Sequence, residues 1–290
     1  MTEINNVNDI YEKQNEPEFL DLLVAQNYTY KRGKTFSLLC FLCSAVFPTA
    51  LAIINLFIQS DVFSIISAGI ILASLFLTAV FSYLVGVYKE EGAMIQQEFD
   101  CGLFGIPSSV YIDQEVVNMR LGEYKDRPMP NKRDWYDRDD ARRTSLEGMI
   151  LRCQEMNVDW TRRTSKRFLV SIAAIIFAVL AISIVVMGLN GWAINSILFG
   201  AVTMTSLLSF FLNSAVMVLS EQKIVARIQC LRVEVDTKER DKTLKEEDLI
   251  RLQTEIYNWR RVHFLVPEFF ERICCRKMNQ MVEKERRRRR

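Results

Sequence analysis

The chain has 290 residues, half of them apolar, and a formal net charge of +2. This apolar content and balanced charge exclude bulk disorder. Seven cysteines are too few, and odd in number, for a disulfide-stapled secreted module. The single histidine, His263, argues against histidine-based catalysis and against histidine-rich metal sites.

Three stretches of the chain contain no lysine, arginine, aspartate or glutamate: 35–60, 62–88 and 168–220. A membrane-spanning helix needs about 20 mainly apolar residues. The third stretch is long enough for two crossings, and its Asn190-Gly191 pair is a turn signal. Buried helices of a soluble protein would need an implausibly large core to hide these stretches. We therefore predict four spans in two helical hairpins: 36–59, 62–87, 168–189 and 193–219.

The basic residues set the orientation of these hairpins. All 37 lysines and arginines lie outside the spans, and neither tight turn within a hairpin carries one. The positive-inside rule then places both termini and the long middle loop in the cytoplasm. We predict an all-α, multi-pass membrane protein with a mainly helical cytosolic domain. Its segments are the cytosolic N-terminal segment 1–34, the first hairpin 35–88, the cytosolic middle region 89–167, the second hairpin 168–220 and the cytosolic C-terminal region 221–290.

Helical spacing of apolar residues extends through the cytosolic segments, and no run alternates as a strand would. The fourth span continues as a helix past Ile224 and Ile228, which makes both residues candidates for coupling the membrane to the cytosolic domain. Trp160, Arg162 and Arg163 precede the third span, where they either pack at the membrane interface or couple a cytosolic event to that helix. The other predicted helices are 89–100, 108–121, 139–167 and 244–262.

Neutral polar side chains form stripes on the predicted spans. Two interpretations stay open, because such residues let helices pack closely and one stripe could also line a water-filled path. No span holds a charged residue, which argues against a proton-coupled transporter or pump. The candidate pore-lining residues are Ser74 and Thr78 on the second span and Asn195, Ser206, Ser209 and Asn213 on the fourth.

A loop of the middle region places aromatic side chains beside guanidinium groups. Such a set can stack a nucleobase and hold phosphates in bidentate contacts. In the alternative interpretation, the aromatic side chains fill the cytosolic core and the arginines pair with neighbouring aspartates. The candidate residues of such a nucleotide-binding site are Arg133, Trp135, Tyr136, Arg142 and Arg143.

No motif in the chain predicts catalysis. There is no Ser-His-Asp arrangement, Walker loop or dinucleotide fingerprint, and the cytosolic cysteines lack the paired spacing of a zinc site. Cys40 and Cys43 form a CxxC pair inside a predicted span, where a thiol cannot easily ionise. The arginine tail 286–290 fits contact with anionic lipid head groups better than RNA binding. We expect no enzyme, no metal, no cofactor and no nucleic-acid partner.

Several short motifs follow one another around the two hairpins. They are Gln14-Asn15, Leu22-Leu23-Val24-Ala25-Gln26, Tyr30-Lys31, Phe99-Asp100, Phe104-Gly105-Ile106-Pro107, Asp134-Trp135-Tyr136, Cys153-Gln154 with Asn157, Asp159 and Trp160, Gln253 with Ile256, Tyr257 and Arg260, and Pro267 with Phe269 and Phe270. Together they resemble the SMODS-associating four-transmembrane effector family. That family usually has Ala-Ala-Gln-Arg where this chain has Val24-Ala25-Gln26-Asn27, and Leu-Pro-Trp-Asn where it has Ile106-Pro107-Ser108-Ser109.

The resemblance implies a pore-forming effector of a bacterial anti-phage system. Such effectors are encoded beside nucleotidyltransferases that make cyclic nucleotide messengers after infection. The chain would then take a cyclic oligonucleotide or mononucleotide as a regulatory ligand, assemble as a homo-oligomer in the lipid bilayer of the bacterial inner membrane, and permeabilise that membrane in abortive infection. The residue pattern by itself also fits a constitutive ion channel or transporter, or a non-conducting membrane anchor that recruits a cytosolic partner.

Overall fold

A computed structural model describes residues 7–58, 60–129, 133–136, 145–189, 194–268 and 270, with the backbone alone at 7–8, 55–57, 155–164, 166, 180, 183, 186–187, 194–204 and 206. Every regular element in these residues is helical, which confirms the predicted all-α class. The elements are α1 (Val7–Lys13), α2 (Pro17–Phe41), a π-helical turn (Leu42–Val46), α3 (Phe47–Phe57), α4 (Asp61–Phe104), α5 (Gln114–Tyr124), α6 (Leu146–Leu189), α7 (Ile194–Arg240) and α8 (Glu246–Val262).

The described residues form two compact units, and the helices α2, α4, α6 and α7 each contribute to both. The first unit takes its residues from 7–33, 86–162 and 219–263. The second unit takes its residues from 34–85, 163–218 and 264–270. Residues 264–268 and 270 thus group with the second unit.

The first unit has an apolar core to which α1, α2, α4, α5, α6, α7 and α8 all contribute. Helix α8 shows why these residues form such a core. Its inward side chains Leu249, Leu252, Ile256 and Trp259 are all buried, and they recur every three or four residues. The largest fully buried side chains of the core also include Tyr11, Phe99 and Leu151.

Local chemistry sets the ends of the helices around α5. Gly105 adopts a left-handed conformation (φ 68°) and ends α4, and the N–H of Ile106 donates to the Cys101 carbonyl at 3.2 Å. Helix α5 begins at Gln114 and not at 108 as predicted. The Asp113 side chain accepts hydrogen bonds from the backbone N–H groups of the first turn, and this cap fixes the start of the helix.

Charged side chains hold α5 against α4. Arg120 of α5 pairs with Glu91 of α4 at 2.7 Å and with Glu123 at 2.6 Å. Its guanidinium also lies over the Tyr88 ring, 4.8 Å from the ring centroid. Burial favours the neutral form, but the hydrogen bonds to both carboxylates outweigh it, so the pKa of Arg120 lies above its usual value.

The first predicted span is not one uniform α-helix. Pro48 has no backbone N–H, so it cannot donate to the carbonyl four residues before it. The turn that precedes it is π-helical, and the N–H of Phe47 donates to the Leu42 carbonyl five residues back. The Ser44 hydroxyl donates to the Cys40 carbonyl at 2.6 Å. The helical hydrogen-bond pattern of the span therefore changes from α to π between α2 and α3, directly before the proline.

The second unit has an apolar core and many exposed apolar side chains. Aromatic side chains form much of its core: Phe168 stacks on Phe264 with centroids 5.3 Å apart, and Phe41 lies 5.0 Å from Phe210. Two helical stretches of the described chain are long and apolar enough to cross a membrane, Pro17–Ile54 and Asp61–Phe104. The third and fourth predicted spans lie in α6 and α7, where many side chains fall outside the described residues.

Candidate functional site

A carboxylate and a guanidinium lie together in the core of the first unit. Asp100 of α4 and Arg260 of α8 are each 1% exposed, and Arg260 Nη2 donates to Asp100 Oδ2 at 2.7 Å. Two charges removed from water are stable only when their pairing and hydrogen bonding are good. Arg260 Nε and Nη1 have no hydrogen-bond partner among the described residues. The attraction to Asp100 is therefore the main compensation for burying this guanidinium.

Polar side chains from the same two helices and from two further segments, α6 and the loop 133–136, complete a cluster around this pair. Gln253 Nε2 donates to Asp100 Oδ2 at 3.1 Å and to Gln97 Oε1 at 3.0 Å. Gln154 of α6 donates to Gln253 Oε1 at 3.0 Å. Tyr136 donates its hydroxyl proton to Asp100 Oδ1 at 2.9 Å. We call these six residues the Asp100 cluster: Gln97, Asp100, Tyr136, Gln154, Gln253 and Arg260.

Most of these residues belong to the short family motifs in the sequence, but the sequence alone predicts no role for them in a cluster. A usable signal was nevertheless present in α8. Gln253 and Arg260 fall in register with the apolar stripe of that helix and are 1% exposed, as its apolar residues are. A glutamine and an arginine on the buried face of an amphipathic helix predict a buried polar partner. The sequence could not name that partner, because Asp100 lies 160 residues away.

The segment 133–136 is a loop held by the turn between α1 and α2. Gln14 Oε1 accepts from the Tyr136 N–H at 2.8 Å, and Gln14 Nε2 donates to the Tyr136 carbonyl at 3.3 Å. Asn15 makes two bonds of 3.0 Å with Asp134, one to the side chain and one to the backbone N–H. Two amide side chains thus clamp residues on both sides of Trp135.

The loop separates its predicted messenger-binding residues between surface and core. Arg133 is exposed and Trp135 is 37% exposed. The Tyr136 ring is 1% exposed and packs on Phe99 and Phe104, with centroids 6.4 and 5.9 Å away. Tyr136 therefore has no exposed ring face on which a base could stack. Its burial agrees with the alternative interpretation, in which aromatic side chains of this loop fill the cytosolic core. Arg142 and Arg143 lie outside the described residues.

The buried thiols and the Tyr30 phenol near the cluster are held in their neutral forms. Burial, reinforced by the Asp100 carboxylate, raises the pKa of Cys101 to about 12. The same two causes raise the pKa of Cys153 above its ordinary range. Burial also raises the pKa of the Tyr30 phenol. Within the described residues, no group of three or more histidine, cysteine, aspartate or glutamate side chains could hold a metal ion.

The polar stripe of the second span faces the first span. Ser74 is buried, and the Thr78 hydroxyl donates to the Ser74 carbonyl at 2.8 Å. Cys40 Sγ lies 3.7 Å from the Thr78 carbonyl oxygen and 3.5 Å from Ser82 Oγ. These contacts are those of helix packing within the first hairpin. Ser74 therefore has little free surface in the single chain, whereas Thr78 is half-buried and Ser82 is exposed.

The other candidate residues of the spans and of the coupling region lie on α6 and α7. Ser209 and Asn213 are exposed on α7. Farther along the same helix, Ile224 is half-buried and Ile228 is buried in the core of the first unit. The side chains of Asn195, Ser206, Trp160, Arg162 and Arg163 lie outside the described residues, although their backbone is helical.

A helical body with a buried polar cluster, joined by continuous helices to long apolar stretches, defines the class as an all-α membrane protein. A family model of the SMODS-associating 4TM effector domain matches residues 8–287. The chain belongs to this family, which confirms the resemblance seen in its motifs. Membership makes it an effector in SMODS-associated defence signalling, functionally linked to a signal that a nucleotidyltransferase makes. No curated protein and no solved structure matches the chain.

Proposed function

We propose that the protein is an oligomeric effector that permeabilises the bacterial inner membrane when a cyclic nucleotide binds to its cytosolic first unit. Four spans in two hairpins would carry the second unit, with both termini in the cytoplasm. The protein would act by binding and conformational change, without catalysis and without a cofactor other than the regulatory nucleotide. The uncovered apolar surface of the second unit is the observation that carries this proposal.

That surface is too apolar for contact with water. Ile65 and Phe76 on α4 are 72% and 71% exposed, and Phe177 on α6 is 78% exposed. A soluble monomer rarely leaves an apolar patch larger than a few hundred Å² uncovered. Hydrocarbon covers such side chains without cost, and the helices satisfy their own backbone hydrogen bonds. This pattern supports insertion of the second unit in a bilayer.

Polar side chains on α7 support assembly of several copies. Ser209 and Asn213 are exposed, and four residues apart they share one face of the helix. The apolar side chains Leu208, Leu212 and Val216 are exposed on the same stretch. Polar groups facing hydrocarbon are costly unless another helix or water meets them. We infer that Ser209 and Asn213 meet a second copy of the chain or a water-filled path between copies.

The loop 133–136 offers the chemistry for a phosphate-bearing ligand. The Arg133 guanidinium is exposed. Trp135, two residues further along the chain, has part of its ring at the surface. An arginine can hold a phosphate in two parallel hydrogen bonds, and an indole face can stack on a base. We infer that these two side chains contact the messenger, with Arg142 and Arg143 as further candidates.

A liposome experiment tests the proposed function. Purified protein is reconstituted in vesicles loaded with a self-quenching dye and exposed to a panel of cyclic mono-, di- and trinucleotides. We expect dye release with one messenger class and none with protein alone. Steady leakage without any nucleotide would instead indicate a constitutive channel, and no leakage with any nucleotide would indicate a non-conducting anchor.

Substitutions in the loop test the messenger site. Arg133→Ala and Trp135→Ala should each weaken messenger binding about tenfold, since one bidentate phosphate contact or one stacked base contributes about 1–3 kcal/mol. Equilibrium binding in detergent micelles measures this change. Arg127→Ala is the matched control, because Arg127 is also exposed but lies outside the loop. Equal affinities for all three variants and the wild type would place the messenger elsewhere.

A further inference from the structure

The Asp100 cluster connects the exposed loop to a helix that continues into a predicted span. Tyr136 is the only residue of the loop whose side chain donates to this cluster within the described chain. Its acceptor, Asp100, lies on α4, which is a single helix from Asp61 to Phe104. The second predicted span, 62–87, belongs to that same helix. A change in the loop that displaces the Tyr136 hydroxyl therefore acts directly on α4.

The two oxygens of Asp100 have different partners. Oδ2 accepts from Arg260 and Gln253. Oδ1 accepts from the Tyr136 hydroxyl, which is its only donor in the part of the chain that the structure describes. A buried carboxylate oxygen that loses its donor is strongly unfavourable. The surrounding side chains must then rearrange to supply another donor or water.

The loop that presents Tyr136 has an uncommon backbone conformation at Asp134. Asp134 has φ 52°, in the left-handed region that favours glycine. Asn15 Nδ2 donates to Asp134 Oδ1, and the Asp134 N–H donates to Asn15 Oδ1. On the other side of Trp135, two further hydrogen bonds join the Gln14 side chain to the Tyr136 backbone. A ligand that pulls Arg133 or Trp135 out of place strains these four bonds and with them the contact of Tyr136 with Asp100. Left-handed conformations at non-glycine residues recur at ligand sites and in switch segments.

We propose that Tyr136 is a positioning residue that transmits messenger binding, because its hydrogen bond to Asp100 stabilises the resting arrangement and is released when the ligand engages Arg133 and Trp135. This inference rests on the proposed function, since it assumes that the loop binds the messenger. The ligand favours the active arrangement by binding more tightly to the loop after its release. Removing the hydroxyl should shift the same equilibrium without any ligand.

Tyr136→Phe tests this role, with Tyr11→Phe as the matched control. Both tyrosines are 1% exposed in the same core, but the Tyr11 hydroxyl donates to Met149 Sδ at 3.2 Å and not to Asp100. In liposomes without nucleotide, Tyr136→Phe should leak about tenfold faster than the wild type, which is the shift expected from losing one hydrogen bond to a charged group. Tyr11→Phe should leak at the wild-type rate. The messenger concentration for half-maximal leakage should be lower for Tyr136→Phe than for the wild type, and unchanged for Tyr11→Phe.

A second variant keeps the test decisive if Tyr136→Phe does not fold. Asn15→Ala removes both bonds to Asp134 without touching Asp100, and Asn15 is only partly buried. We expect its ligand-free leakage to rise about threefold, because the loop is loosened and not detached. Thermal unfolding in detergent checks that each variant is folded. A merely structural role would lower the unfolding temperature and leave ligand-free leakage unchanged.

The possible failures of the two proposals are distinguishable. If wild-type vesicles respond to a nucleotide while ligand-free leakage of Tyr136→Phe and Asn15→Ala equals that of Tyr11→Phe, the role of Tyr136 is overturned and the proposed function stands. If Tyr136→Phe leaks without ligand while no cyclic nucleotide affects the wild type, the link from Tyr136 to the membrane holds and the messenger class is wrong.

Discussion

Arg260 and Arg261 follow one another in α8, yet the structure places them in opposite surroundings. The Arg260 side chain is 2% exposed and pairs with an Asp100 side chain that is 1% exposed. The Arg261 side chain is 44% exposed and pairs with Glu90 at a similar distance, 2.6 Å. Distance alone therefore says little about what an ion pair contributes, because water screens the outer pair and not the inner one.

The two arginines make a matched pair of substitutions. Arg260→Ala should lower the free energy of unfolding by about 3–5 kcal/mol, because it leaves the Asp100 charge buried without its cation. Arg261→Ala should lower it by only about 0–1 kcal/mol. Urea unfolding of the detergent-solubilised protein, followed by far-ultraviolet circular dichroism, measures both. Equal effects of the two substitutions would contradict the burial of the Asp100 cluster.

Among the helices, local signals that precede or end an element explain most of the agreement between sequence and structure. Helix α4 continues to Phe104, four residues beyond the predicted end at 100, and Gly105 ends it. Helix α8 begins within two residues of its predicted start. The start of α5 differs because Asp113 forms a cap that apolar periodicity does not reveal. The π-helical turn before Pro48 was not predicted, since the sequence shows only that a proline interrupts the hydrogen bonds and not how the chain responds.

The end of α7 carries a strained residue that can be tested. Lys242 has φ 55°, and the N–H of Thr243 donates to the Lys238 carbonyl at 2.8 Å, as in a glycine-terminated helix. A side chain in the left-handed region costs about 1 kcal/mol relative to glycine. Lys242→Gly should therefore raise the free energy of unfolding by about 0.5–1 kcal/mol.

Lys242→Ala separates relief of strain from loss of charge. Alanine keeps the Cβ atom that clashes in this conformation, so this variant should show no gain in stability. Both variants are compared with the wild type by thermal unfolding in the same detergent. A gain of equal size for alanine and glycine would attribute the effect to the lysine charge.

At the scale of the whole molecule, the sequence predicted which residues are helical and apolar but not which distant residues meet. Charge-free stretches and helical spacing are local properties. The structure finds α-helix across the described parts of all four predicted spans, apart from the π-helical turn and Ile58 in the first. The Asp100 cluster joins α4, α6, α8 and the loop 133–136, and periodicity gives the inward face of each helix without naming its partner. Trp135 is exposed and its neighbour Tyr136 is buried because Gln14 and Asn15 hold the loop by hydrogen bonds from a distant segment. No local pattern in the sequence indicates this difference.

The proposed orientation of the chain in the membrane rests on its charges and can be measured directly. No lysine or arginine occurs between 35 and 88 or between 168 and 220, so the proposal places the short turns of both predicted hairpins outside the cytoplasm. We expect a cysteine placed at Ser60 to react with a membrane-impermeant maleimide on intact spheroplasts. Cys230, which is exposed on α7 beyond the fourth span, should react only after the cells are opened. Ser60→Cys is therefore introduced beside the native Cys230, and peptide mass spectrometry assigns each modification. Labelling of Cys230 on intact cells would reverse the orientation and place the loop 133–136 where no cytoplasmic messenger could reach it.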